Sequence, residues 1–148
     1  MADCSQILPR LYTGAALQSA SDVLAISAAH IDTVIDCRDD FDDTALFATD
    51  PAVSVLWNGT ADDGQPKAPE WFGKSVDYAL HALSQPHHRV LCHCAAGVNR
   101  GPSTALAVML ALGFSTETAE SLIRAARPQV GLAYKADAIA AIQSLGYI

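Results

Sequence analysis

The sequence predicts a single α/β domain over residues 1–148, built as three layers: a short, mostly parallel sheet of four to five strands flanked by helices. Three observations support this. Short β-rich runs alternate with amphipathic segments along the whole chain, the pattern of strands linked by helical crossovers. At 148 residues the chain is one ordinary domain, long enough to bury a core. Half of it is apolar (51%) and only 17% is charged, which excludes extensive disorder.

The elements follow in order. Residues 7–13 read as an opening strand closed by Gly14. Residues 21–30 carry Val23, Leu24, Ile26 and Ala28 at helical spacing. Residues 31–37 have β-branched residues at their centre and read as a strand. The acidic stretch 38–50 is expected to be mostly solvated loop, with a short helical turn over 42–47. Pro51 introduces a strand over 52–57. The Gly-, Pro- and Asp-rich segment 58–69 is a loop. Residues 70–83 read as a helix, with Trp71 and Trp57 assigned to the core, and residues 90–92 as a short buried strand. Residues 102–112 form a nearly all-apolar helix that should be buried, with Pro102 suited to its first position and Gly113 ending it. Ser115 or Thr116 can cap the next helix, with Glu117 complementing its dipole, and it ends near Ala126, before Pro128. A last helix runs over 134–145 and stops at Gly146.

Charge and cysteine usage narrow the function classes. Sixteen acidic against nine basic residues give a net charge of −7, which argues against generic binding to nucleic acid or anionic membrane. The apolar run 104–114 is too short to span a bilayer, and no secretory or prenylation signal is read at the ends, so a soluble, cytoplasmic protein without a membrane anchor is expected. Cys4, Cys37, Cys92 and Cys94 do not form a disulfide framework pattern. Cys92-His93-Cys94 lacks the second ligand pair that structural zinc requires, so neither metal nor cofactor is expected.

The chemistry concentrates in His93-Cys94-Ala95-Ala96-Gly97-Val98-Asn99-Arg100. A buried strand enters this segment and a buried helix leaves it. Such a loop points backbone N–H groups into one concavity, and the helix dipole adds positive potential there. Gly97 can take φ > 0, and Ala95 and Ala96 are small enough to let backbone approach an oxyanion. The planar guanidinium of Arg100 can grip two phosphate oxygens. The same field favours the thiolate of Cys94, which is the nucleophilic form. Ala95, Ala96, Gly97, Val98, Asn99 and Arg100 are thus the candidate substrate-binding set, with His93 orienting the loop.

These residues resemble the signature of the protein tyrosine phosphatase superfamily, His-Cys-x5-Arg, and in particular its small dual-specificity branch. The likeness extends to 7–14, 31–36 and 119–128. It implies a dual-specificity phosphatase-like fold and hydrolysis of phosphotyrosine, with phosphoserine and phosphothreonine as further substrates, through a phosphocysteine on Cys94. It also implies a general acid on the loop 61–66. In Cdc14-like phosphatases and the phosphatases of regenerating liver the acid immediately precedes a Gly, which points to Asp63, with Asp62 in reserve. Asp-Gly pairs are also ordinary turn formers.

Two departures matter. Most of that family carries Ser or Thr after the Arg, where the hydroxyl helps the cysteine leave; here the residue is Gly101. Breakdown of the intermediate is therefore expected to be slow unless Ser103 or Thr104 substitutes, and Gly101→Ser is expected to raise turnover. Cys37 occupies a place comparable to a cysteine of the phosphatases of regenerating liver that can pair with the nucleophile, and is a redox-partner candidate on that resemblance; a small hydrophobe at a strand end is the alternative. The expected partner is a phosphoprotein or a small phosphomonoester. A phosphate-binding pseudophosphatase, a non-protein phosphomonoesterase and rhodanese-type sulfur or arsenate chemistry are the competing readings.

Overall fold

A computed structural model describes residues 2–148. Its sheet has five strands in the order β1-β2-β5-β3-β4. These are β1 (Cys4–Leu8), β2 (Leu11–Gly14), β3 (Thr33–Arg38), β4 (Ser54–Thr60) and β5 (Val90–His93). The last four run parallel, and β1 is an antiparallel edge on β2. The expected single opening strand is therefore a hairpin, because Pro9-Arg10 reverses the chain in the middle of the predicted run.

Five helices accompany the sheet: α1 (Ala20–Ala28), α2 (Pro69–Leu83), α3 (Arg100–Ala111), α4 (Thr116–Ala126) and α5 (Lys135–Ser144). A single 3-10 turn, Asp43–Phe47, follows β3. Strands β3 and β5 are buried on both faces, as central parallel strands are. Alternation sends Ile35, Cys37, Val90 and Cys92 to one side, where they pack with Leu106, Val108, Phe72 and Ile142 of the helices. It sends Val34 and Leu91 to the other, beside Ile26 and Phe47. The core is thus two layers separated by the sheet, and α3 is sequestered between the sheet and its neighbouring helices.

Three other expectations change. Helix α3 begins at Arg100 rather than Pro102, so Pro102 sits third; its missing N–H still falls in the first turn, where no intrahelical acceptor exists. Trp57 is exposed on the edge strand β4, its indole donating to the Arg38 carbonyl at 2.7 Å. The acidic stretch is not uniformly solvated: Asp36 and Asp43 are fully buried, whereas Asp39, Asp40 and Asp42 face solvent. Among the described residues no helix is long and apolar enough to cross a membrane.

Candidate active site

The loop 94–99 joins β5 to α3, and its shape is imposed from behind. The carbonyls of Ala95, Ala96, Gly97 and Val98 all accept hydrogen bonds from outside the loop. Ala16 N–H donates to Ala95, and Gly131 and Leu132 donate to Val98. Arg127, 1% exposed, donates from Nε to Gly97 O at 2.8 Å and from Nη2 to Ala96 O at 3.2 Å. Asp3 grips the other edge of the same guanidinium, and Arg127 holds its carboxyl below the usual range. With the carbonyls turned outward, the amides of Ala95 to Asn99 have no protein acceptor among the described residues. Gly97 is in the left-handed region (φ +68°), and a Cβ there would stand 2.5 Å from Arg127 Nη2 and 2.7 Å from the Gly14 backbone.

Cys94 lies at the floor of this loop, 1% exposed, its amide donating to Gly14 O at 3.2 Å. Arg100 opens α3 and is almost fully buried. Its Nη1 donates to Thr60 O (2.8 Å) and to Asp39 Oδ1 (3.2 Å), while its Nε is buried without an acceptor. A buried guanidinium N–H left unpaired is destabilising, and an oxyanion is a group that could satisfy it.

The two aspartates of the acid loop point to different neighbours. Asp62 accepts from Tyr134 Oη at 2.8 Å and lies 3.4 Å from the side-chain Nδ2 of Asn99, in the loop itself. Asp63 faces solvent, accepting from Gln65 N and Lys67 Nζ at 3.0 Å each, and these donors hold its carboxyl below the usual range. Lys67 also donates to Ala61 O and stacks 4.8 Å from the Tyr134 ring. The geometry thus brings the reserve candidate, Asp62, to the loop and turns Asp63 outward.

His93 does not face the same side as Cys94. Its Nε2 is hydrogen-bonded to Asp43 Oδ2 and lies 3.9 Å from Asp36 Oδ1, and its Nδ1 lies 3.3 Å from the Cys94 carbonyl. Burial pushes Asp36 up to about 6, opposed by His93.

Cys37 is fully buried, 3.5 Å from the Thr104 hydroxyl, and burial pushes its thiol well up. The β3–β5 register pairs Asp36 with His93, so the next step sets Cys37 beside Cys94. Cys92, one pair back on the same face, is pushed up to about 12 by burial, as suits an inert core thiol.

Gly101 corrects an expectation. A Cβ there would lie 2.9 Å from Cys92 O and from His93 Cα, both backbone, so the position is closed to any side chain. Gly101→Ser is thus expected to push α3 off β5 rather than to speed turnover. Of the nearby hydroxyls, Thr104 donates to Arg100 O, and Ser103 is buried without a partner.

No protein-family model matches the chain. Solved structures do. PTPMT1 in complex with PI(5)P superposes with a TM-score of 0.78 at 17% identity, over 97% of this chain and 99% of that one. A mouse putative dual specificity phosphatase complexed with zinc tungstate gives 0.78 at 18%, over 98% and 89%. Human DUSP28 gives 0.78 at 16%, over 96% and 94%. The chain therefore has the fold of the dual-specificity phosphatases, as the sequence predicts.

Proposed function

We propose that this protein is a cysteine-dependent phosphatase that hydrolyses phosphomonoesters, phosphotyrosine first among them, through a phosphocysteine intermediate. The observation that carries the reading is the unpaired Nε of buried Arg100 beside a loop whose amides have no protein acceptor, with Cys94 beneath. The phosphoryl oxygens take the amides of Ala95 to Asn99 and the Arg100 guanidinium. The Cys94 thiolate attacks phosphorus, the phosphorus–oxygen bond to the leaving group breaks, and the leaving oxygen takes a proton from Asp62. Asp62 then accepts a proton from water as it attacks the phosphocysteine, releasing phosphate and the thiolate. Asp62 is preferred to Asp63 because it touches the loop through Asn99, whereas the Asp63 carboxylate is turned away onto Gln65 N–H and Lys67.

The test is hydrolysis of an aryl phosphate in EDTA by wild type and Cys94→Ser. Loss of turnover in the variant supports the reading, and undiminished turnover ends it. A non-protein phosphomonoester is the second reading, favoured by the likeness to PTPMT1, whose structure holds PI(5)P. Against it, the exposed charges that touch the loop and its arginine are the carboxylates of Asp39 and Asp62, and the loop offers no cation besides Arg100, which suits one phosphate rather than a polyanionic headgroup. Side-by-side assays on phosphotyrosine peptide and PI(5)P separate the two. Cys37 is proposed as a redox partner: peroxide oxidises Cys94 to the sulfenic acid, and the Cys37 thiol condenses with it, forming the disulfide and water. Mass spectrometry after mild peroxide reads that bridge, and a Cys94 sulfinate without it overturns the pairing.

A further inference from the structure

Behind the loop, on the sheet face opposite Cys92, three ionisable side chains are packed with no exposure to solvent: Asp36 of β3, Asp43 of the 3-10 turn and His93 of β5. Removing two carboxyls and an imidazole from water is unfavourable, and apolar residues of the same volume would do at least as well for stability. One oxygen, Asp43 Oδ1, is buried with no hydrogen-bond partner among the described residues. Packing gives no account of such a group.

The hydrogen bonds form one chain. Arg38 N–H donates to Asp36 Oδ1 and Asp43 N–H to Asp36 Oδ2, each at 3.0 Å. The second bond seats the first residue of the 3-10 turn against β3, and so aims the Asp43 side chain at the imidazole. Asp43 Oδ2 then meets His93 Nε2, and His93 Nδ1 meets the Cys94 carbonyl at 3.3 Å. The proton positions follow from what each atom can do. A carbonyl only accepts, so Nδ1 carries a proton. A carboxylate against Nε2 requires a second proton between those two atoms. The His93–Asp43 pair is therefore neutral as a whole and polar within, its positive end towards Cys94. Since Nε2 is already engaged by Asp43, the trio is a hydrogen-bonded set rather than a cage for a cation.

We propose that Asp43 is a positioning residue for the nucleophile: through His93 it keeps the proton on Nδ1, orients the Cys94 carbonyl, and sets the positive end of a buried pair behind the thiolate. This rests on the reading of Cys94 as the attacking atom. It assigns a function to a residue outside the signature, in a turn that is part of neither the phosphate loop nor the acid loop. Without Asp43 the imidazole loses its direct carboxylate partner, leaving only Asp36 at 3.9 Å, and the ring can turn or change tautomer, which frees the Cys94 carbonyl.

The experiment has two readouts. In 15N-histidine NMR of the wild type, one of the five histidines, assigned as His93 through His93→Gln, carries protons on both ring nitrogens, with a far-downfield Nε2 proton resonance protected from exchange. Asp43→Asn abolishes that resonance. In kinetics, folded Asp43→Asn loses on the order of 10- to 100-fold in kcat/KM for an aryl phosphate. The acid limb of its pH profile moves upward, and Asp43→Glu recovers part of the rate. A bare His93 Nδ1 in the wild type, or an unchanged pH profile and rate in folded Asp43→Asn, overturns the proposal. If Asp43→Asn does not fold, the wild-type spectrum decides alone. If the wild type hydrolyses no phosphomonoester, the proposed function fails. The rate of Cys94 alkylation by iodoacetamide in wild type and Asp43→Asn then still reads whether Asp43 acts on the thiol.

Discussion

The phosphate loop and the acid loop are held in opposite ways. Carbonyls of residues 95–98 are fixed by donors from Ala16, just after β2, from the segment after α4 and from a fully buried arginine, all of them distant in sequence. The segment 61–67 is held by a few bonds that end mostly on exposed carboxylates: Lys67 to Ala61 and Asp63, Tyr134 to Asp62, the Lys67 amide to Asp137, and a long contact from Asn99. The first arrangement suits an anion cradle, whose donors must already point inward when the dianion arrives. The second suits a group that must approach a leaving oxygen and then a water, because breaking a few exposed bonds is inexpensive.

The largest effect that separates the two loops is on chemistry. Asp62→Asn is expected to lower kcat for a phosphotyrosine peptide by about 100- to 10,000-fold, the range of a general acid. Asp63→Asn should leave kcat within a few-fold. The deficit of Asp62→Asn should shrink on aryl phosphates whose leaving group needs no proton. The reverse ranking of the two variants would make Asp63 the acid and the solvent-facing arrangement a resting one.

Rigidity of the cradle is tested next. Gly97→Ala places a methyl group against the Arg127 guanidinium and the Gly14 backbone and forces a strained φ. A loss of about 2–4 kcal/mol is expected from overpacking and strain together, with a rise in KM. Gly101→Ser should destabilise by about 1–3 kcal/mol without increasing turnover. A faster, equally stable Gly101→Ser would show that α3 yields to a side chain against β5.

Behind the cradle, Asp36 links the site to pH. Its folded value near 6 exceeds the unfolded value of 3.8, so the folded state binds the extra proton between these limits. The group therefore lowers stability as pH rises through this window, by about 3 kcal/mol in full, and the penalty is absent below pH 4. In urea melts, wild type should gain up to that amount over Asp36→Asn between pH 7 and pH 4. Parallel pH dependences would mean that Asp36 titrates normally.

What was legible in the sequence divides along the same line. The cradle is local: a strand, five residues, an arginine and a buried helix can be read in order, and Cys94 and Arg100 fall where that reading puts them. Arg127, before Pro128, reads from the sequence as a tie between the last helices and the loop, and it donates to Gly97 O and Ala96 O. Tyr134 and Asp43 reach the site only through tertiary placement, from the start of a helix and from a turn distant in the chain, and no spacing encodes that. Asp43 was hidden among exposed acidic neighbours. Yet Asp36, an acid within the apolar run Thr33-Val34-Ile35-Asp36-Cys37, stands where a strand buried on both faces leaves no solvent for it. That was the available signal for a buried partner such as His93. Gly101 misled for the opposite reason: its clash is with backbone, which side-chain patterns do not reveal.

The smallest expected effect probes the hinge between the two loops. The Tyr134 hydroxyl donates to Asp62 and accepts from Gly64 N–H, and burial pushes its phenol up, so it stays protonated through the working range. Tyr134→Phe removes both bonds while leaving the ring under Lys67. One hydrogen bond to a carboxylate contributes about 1.5–3 kcal/mol when buried and less where water can replace it, as it can at this mouth. The expected result is a three- to tenfold fall in kcat, KM nearly unchanged, and stability lower by about 1 kcal/mol. A fall confined to KM would instead place Tyr134 with the cradle, and the acid loop would then be held by Lys67, Asp137 and Asn99.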